Sequence, residues 1–265
     1  MTENKSHIHP TAIVSKEAVL ADTVSVGPYS VIGPQVRIDE GAKIHSHVVI
    51  EGCTHIGEKT EVFPYCVIGA APQILQKQGQ NPQTRIGKNN IIREHVTIHG
   101  GPNEGTVVGD SCMIMVSAHI AHDCRLGNGV LMVNQSTLGG HVIVEDHAYI
   151  GGLSGIHQKV RLGRGCIVGG LSGVEGDVIP YGSVMGNRAR LCGLNLVGLK
   201  RRGETREHIH ALRSAYGFLF SAEGTMAERV TDAEELYKDK PIVMEVLRFI
   251  RGTVKNNQRS LCLPE

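Results

Sequence analysis

The sequence predicts a mainly β chain, a parallel β-helix followed by a C-terminal α-helical domain. Three observations predict it: an aliphatic residue at every sixth position, a glycine often directly after it, and a near absence of aromatic side chains. The 265 residues include 33 Gly, no Trp and only 4% aromatics, so any core must be built from aliphatic and small side chains. From Ile8 the hexads run Ile8, Val14, Leu20, Val26 and on to Ile68. They return at Ile86, Ile92 and Ile98, and run again from Val108 to Val174.

A period of six fits neither the 3.6 of a helix nor the 2 of a strand. A chain that runs straight, turns and runs straight again satisfies it. Each turn aims one aliphatic side chain inward, and a following glycine such as Gly27, Gly57 or Gly127 is expected to supply positive φ at the corner. Three sides close a coil of 18 residues, and coils stack at the strand spacing of roughly 4.8 Å. The first break, at 69–85, keeps the hexad phase, and the second, at 99–107, adds four residues. Both are expected to leave the helix as loops on a binding face.

The repeat stops near Pro180, which divides the chain into a β-helix over 1–186 and a helical part over 187–265. Helical spacing is read over 193–202, 205–221 and 239–254, with a short helix near Asp232. In the second of these, Ile209, Leu212, Ala215, Tyr216 and Leu219 form the apolar face. A helical cap would cover the solenoid's last coil. The tail after Arg251 (GTVKNNQRSLCLPE) carries no pattern that fixes whether it is ordered.

Composition narrows the function. Lys+Arg 27 against Asp+Glu 26 gives a net charge of +1, which excludes a nucleic-acid binder acting by bulk charge. The opening MTENKSHIHP has no basic stretch followed by an apolar run, and no 18-residue apolar segment follows. Neither a secretory signal nor a membrane span is expected, and a cytoplasmic protein is. The seven cysteines are odd in number and contain no C-x-x-C pair, consistent with free thiols.

Histidine carries the chemical signal. On an 18-residue coil His122 lies under positions 140 and 158, so His122, Asp123, Gly140, His141, His157 and Gln158 should share one edge, with His119 close by. Imidazole beside a carboxylate suits general base work, and Gly140 could present an unobstructed N–H to an oxyanion. Neutral imidazoles are also zinc ligands, so a metal site of the kind used by trimeric β-helix hydratases stays open at this point.

The hexads together with SAHIAHDC (117–124), LGGHV (138–142), IHQ (156–158), GN (186–187) and LNLVGLKRRG (194–203) resemble the UDP-N-acetylglucosamine acyltransferases of lipid A biosynthesis, within the hexapeptide-repeat superfamily. The resemblance covers nearly the whole chain. It implies a left-handed β-helix and a cytoplasmic homotrimer with active sites between neighbours. The activity implied is direct transfer of a 3-hydroxyacyl chain from acyl carrier protein to the 3-position of the UDP-sugar, without a cofactor.

Carried over by residue, His122 is the general base, Asp123 its carboxylate partner and Gly140 the oxyanion donor. Gln73, His119, His141, His157, Gln158, Asn195, Arg201 and Arg202 would bind substrate, and Gly170 would act as the acyl-chain ruler. Leu171 and Arg188 depart from the usual pattern near that ruler. Arg206 and Arg213 would dock the acidic carrier protein. The family loop Pro-Gln-Asp-Leu-Lys is Pro72-Gln73-Ile74-Leu75-Gln76 here, and the usual Glu after the matched Asn is Val197. Those losses of charge raise a second acceptor, a UDP-sugar with a 3-amino group that would yield an amide.

Overall fold

A computed structural model describes residues 7–74, 81–256 and 259–264. The hexads wind into a parallel, left-handed β-helix of about 10 turns. Its short strands form three sheets, one per side of a triangular prism. The first sheet begins at His7–Ile8, the second at Ile13–Val14 and the third at Val19–Leu20. His7 faces Ser25, a step of 18 residues, and Thr137 faces Gly155 at the same step.

The core is a column with two inward positions per side. The hexad residues form one, and Ile32, Ile56, Ile86 and Ile120 among them are at most 1% exposed. The residue two places earlier forms the other: Val24, Ala42, Cys66, Cys112, Ser136 and Ser154 are all buried. Burial of each large aliphatic contributes about 1.5–3 kcal/mol, repeated at every side. Small residues suffice at the second position because it sits at the corner, where neighbouring sides converge. Buried there, the Cys66 thiol is pushed up to about 12 and stays protonated.

The glycines do something other than expected. Gly27, Gly57, Gly127, Gly151 and Gly163 follow core aliphatics but do not have positive φ. They are needed because the next coil lies too close for a side chain. A Cβ on Gly163 would sit 2.3 Å from Pro180 N and 2.7 Å from its Cα, and one on Gly57 2.6 Å from the Gly87 carbonyl carbon. Positive φ falls instead on the third residue after the core aliphatic, and mostly not on glycine: Tyr29, His47, Ser117, Asp123, His141 and Leu171 lie at 57 to 60°.

The loops also resolve differently in part. Thr97 pairs with His119, a step of 22, so the second break adds the four residues expected. Val67 pairs with Thr97, a step of 30, so the first adds 12. Ile68 therefore lies on the second sheet and Ile86 on the third, so they are not stacked one above the other, although the hexad phase survives.

After Val178 the chain forms an antiparallel hairpin, Gly182–Met185 with Arg190–Leu194, in the region read as helix from 193. The boundary placed at 186/187 falls in its turn. Four helices follow: α1 (Leu196–Arg201), α2 (Arg206–Leu219), α3 (Met226–Leu236) and α4 (Pro241–Asn256). Leu212, Ala215 and Leu219 of α2 are buried as its pattern predicts. Thr225 and Glu228 form a reciprocal cap that starts α3 well before Asp232.

The tail is ordered over its described residues. Leu261 bridges Asp177, and the Asp177 carboxylate accepts from Arg161 N–H at 2.8 Å and from Thr253 Oγ1 at 2.8 Å. Cys262 is buried. No helix among the described residues is long and apolar enough to cross a membrane.

Two glycine substitutions should separate these roles. Gly163→Ala is expected to destabilise by about 1–3 kcal/mol, because rigid backbone stands where the methyl would go. Gly155, with nothing within 4 Å of its would-be Cβ, should tolerate alanine to within about 0.5 kcal/mol. Chemical unfolding of both variants checks this, and equal losses would contradict the close-approach account.

Candidate active site

His119 lies on the second sheet, in register with Thr137, Gly155 and Gly173 on the coils above. His122 and Asp123 follow at the corner leading to the third sheet. The stacking predicted from spacing is present: the His141 N–H donates to the His122 carbonyl at 3.0 Å, and the Lys159 N–H to the Gly140 carbonyl at 2.9 Å. An open groove of about 1040 Å³ runs along this corner and the adjoining face, lined by His119, His122, Gly140, His141, His157 and Gln158 among others. Gln73 and Ile74, from the first loop, also line it. Gln76 lies outside the described residues.

The corner imposes positive φ on Asp123, at 58°, which turns its carboxylate back under the His122 ring. His122 Nδ1 is 2.9 Å from Asp123 Oδ2, and the carboxylate is fully buried. A carboxylate only accepts, so this hydrogen bond assigns the proton to Nδ1 and leaves the Nε2 lone pair for a substrate. Asp123 Oδ1 also accepts from the Glu104 N–H at 2.9 Å and the Asn103 N–H at 3.1 Å. The Asp123 N–H itself donates to Thr106 Oγ1 at 2.9 Å. Burial alone would raise the Asp123 carboxyl, but hydrogen bonds from His122, Glu104 and Asn103 outweigh it and hold the group below its usual range.

Gly140 sits against His122 Nε2. A Cβ there would lie 2.6 Å from His122 Nε2, so only glycine leaves the ring in place. Among the described residues its N–H donates to no acceptor, while its carbonyl is engaged.

His119 and His99 form a second pair, edge to face with centroids 4.8 Å apart. Burial, then the charge of His99, pushes His119 down to about 4, and burial also lowers His99. Both are neutral hydrogen-bonding groups near pH 7. His119 Nδ1 meets Thr97 Oγ1 at 2.7 Å, whereas His99 Nδ1 is buried without a partner among the described residues, beside the groove.

Sequence reasoning missed His99, Asn103, Glu104 and Thr106, because each is placed by the second insertion rather than by the repeat. It also missed Arg259, which donates from Nε to the Gln158 carbonyl at 3.0 Å and contacts His157 Nδ1 through Nη2 at 2.5 Å.

Other expected site residues stand elsewhere in the single chain. Gly170 and Leu171 occupy the corner between the first and second sheets, a different edge of the prism. Asn195 caps α1: its Oδ1 accepts from the Gly198 N–H at 2.9 Å and its Nδ2 donates to the Gly165 carbonyl at 3.0 Å. Gly165 lies on the third edge, where Arg202 reaches over the Tyr181 ring. Arg201, Val197, Arg206 and Arg213 are exposed on α1 and α2. Arg188 lies in the hairpin turn, with its backbone N 3.6 Å from a Cβ built on Gly173.

His122, Asp123 and His141 bring potential metal-ligating atoms within 4.8 Å of one another. Asp123 Oδ2 is already the acceptor of His122 Nδ1, so a metal that used either of those two atoms would have to displace this hydrogen bond.

Residues 177–262 match the family described as UDP-N-acetylglucosamine O-acyltransferase, domain 2, and residues 17–52 and 105–140 match the bacterial transferase hexapeptide repeats. An acyl-[acyl-carrier-protein]–UDP-N-acetylglucosamine O-acyltransferase of Caulobacter vibrioides is 49% identical, covering 97% of this chain and 98% of that protein. One from Thermodesulfovibrio yellowstonii is 45% identical over 97% and 99%. The chain belongs to the UDP-N-acetylglucosamine O-acyltransferase family. It is an O-acyltransferase. The crystal structure of an Acinetobacter baumannii member superposes with a TM-score of 0.91 at 36% identity, covering 96% of this chain and 98% of that one.

The half-buried imidazole of His119 predicts a pH dependence in this acyltransferase. His119 takes up its proton more readily unfolded, at the ordinary 6.5, than folded, near 4. Stability should therefore be fully retained above 6.5 and fall as pH drops from 6.5 towards 4. Melting curves across that window should show the slope, and His119→Gln should flatten it. An unchanged slope in the variant would remove His119 as its source.

Proposed function

We propose that this acyltransferase moves a 3-hydroxyacyl chain from the thioester of acyl carrier protein to the 3-position of UDP-N-acetylglucosamine, the opening step of lipid A synthesis. The observation that carries the reading is the His122–Asp123 dyad facing Gly140 in an open groove. His122 Nε2 takes the proton from the sugar hydroxyl as its oxygen attacks the thioester carbon. The Gly140 N–H donates to the oxyanion that forms. Collapse expels the phosphopantetheine thiolate, and the His122 imidazolium returns its proton to that sulfur. Asp123 fixes the tautomer and supports the imidazolium. Every atom in this cycle comes from the chain or its two substrates, and the enzyme needs no cofactor to complete it.

Gln73, His119, His141, His157 and Gln158 line the groove as acceptor-binding groups. Gly170, Asn195, Arg201 and Arg202 lie on the other two edges, so they join this groove only from neighbouring chains. We infer a homotrimer on that basis. Exposed Arg206 and Arg213 lie two turns apart on α2, a spacing suited to an acidic carrier protein.

Ile74 favours one alternative within the same chemistry. An apolar side chain lines the groove at this position, where the family loop carries an acid, and that loss of charge at the groove wall is the feature that would accompany a changed acceptor such as a 3-amino sugar.

Removing the base should cost about 10²–10⁴ in kcat, so His122→Ala is expected to fall in that range with trimer and fold intact. The assay is acyl transfer to UDP-N-acetylglucosamine and, separately, to its 3-amino analogue, with metal stripped. Activity of His122→Ala within tenfold of wild type would refute the base assignment. Amide formation alone would shift the acceptor to the amino sugar. Activity abolished by stripping metal from the wild type would favour the metal reading of His122, Asp123 and His141.

A further inference from the structure

Among the described residues, the C-terminal segment contacts the groove-lining His157 and Gln158 through Arg259. Its anchor is backbone pairing: the Asp177 N–H donates to the Ser260 carbonyl at 2.7 Å and the Cys262 N–H to the Asp177 carbonyl at 2.8 Å. Arg259, next in the chain, is thereby laid against the corner that carries His157 and Gln158. Its guanidinium spans two acceptors, the Gln158 carbonyl through Nε at 3.0 Å and His157 Nδ1 through Nη2 at 2.5 Å.

That contact decides the polarity of His157. A guanidinium has donors only and keeps its charge, so Nδ1 must present a lone pair to it. The ring proton then sits on Nε2. The competing arrangement is close at hand, because Nδ1 is also 3.3 Å from the Gln158 carbonyl, which only accepts. Without the guanidinium, that carbonyl would draw the proton to Nδ1 and turn Nε2 into an acceptor.

We propose that Arg259 is a positioning residue of the acyl-transfer site: it holds His157 as the Nε2–H tautomer, so that His157 donates a hydrogen bond to an oxygen of the bound sugar nucleotide. The proposal rests on the acyl-transfer reading above for the identity of the ligand. The tautomer itself does not depend on turnover.

The test uses full-length protein labelled with 15N-histidine, with the His157 resonances identified by their loss in His157→Asn. Wild type should show His157 protonated at Nε2, and Arg259→Ala should move the proton to Nδ1. In the same variant KM for the UDP-sugar should rise about tenfold, the weight of one misdirected hydrogen bond, while kcat stays within about twofold. Arg259→Lys, which keeps a donor in place, should recover the Nε2–H form.

Cys262 is the control for docking of the tail, since it is buried at 6% exposure beside Asp177. Its alkylation should remain as slow in Arg259→Ala as in wild type. A wild-type His157 protonated at Nδ1, or an Arg259→Ala variant with unchanged tautomer and KM, would overturn the proposal. So would rapid alkylation of Cys262 in the variant, which would make Arg259 an anchor of the tail. A wild type with the Nε2–H tautomer but no acyl transfer would overturn the parent reading and leave the Arg259–His157 assignment standing.

Discussion

The rest of the structure depends on the fixed hydrogen-bonded step between coils. Once each strand pairs in parallel with the strand 18 residues on, every position acquires a permanent neighbour above and below. The close contact forbids side chains where the next backbone arrives, as at Gly57 and Gly163. It also forces left-handed backbone on the third residue after most core aliphatics, at a cost of roughly 1–2 kcal/mol where that residue is not glycine. Core burial repeated along the column offsets that strain. Asp123 and His141 both occupy such corners, so the geometry that strains the backbone also sets the carboxylate against His122 and places His141 in the groove wall.

The dyad shows how one corner supports chemistry. A buried carboxylate is costly unless its lone pairs are filled. Here the filling comes from two sources: His122 from the same corner, and the N–H groups of Asn103 and Glu104 from a loop one coil below. The four extra residues of that loop displace the chain far enough to bring those donors over Asp123. A regular coil of 18 residues would have stacked another corner residue against Asp123, as His141 stacks on the other side. The insertion is therefore part of the electrostatics of the site as much as a wall around it.

The repeat, the prism and the convergence of His122, Gly140 and Gln158 were legible because spacing alone determines them. Legibility ended wherever the register was interrupted. His99 and Thr106 flank the second insertion, and their approach to the dyad depends on where the loop re-enters the third sheet. The 12-residue first insertion kept the hexad phase while shifting the side of the prism, a shift that counting in sixes cannot detect. The glycines were found for a sound reason, their unusual frequency, but the wrong property was assigned to them. Steric contact with the next coil is a long-range fact, whereas positive φ is a local one. The order of the tail depends on the buried Asp177 and Thr253, residues that no local pattern joins across 76 positions.

The three edges of the prism carry three different parts of the family's residue set. His122, Asp123 and Gly140 stand between the second and third sheets, Gly170 between the first and second, and Asn195 beside Gly165 between the third and first. A rigid prism cannot fold these edges together, since each is pinned by ladders of parallel hydrogen bonds. If all three parts act on one substrate, the edges must meet between different copies of the chain. Rotation about a threefold axis would place a different edge of each neighbour at every groove without any change in the coil. An aromatic-poor, strained and repetitive scaffold is suited to that arrangement, because its stiffness fixes the distance between catalytic and binding edges before substrate arrives. On the proposed reading, the single chain supplies a preorganised base and an assembly of three would supply the remaining walls.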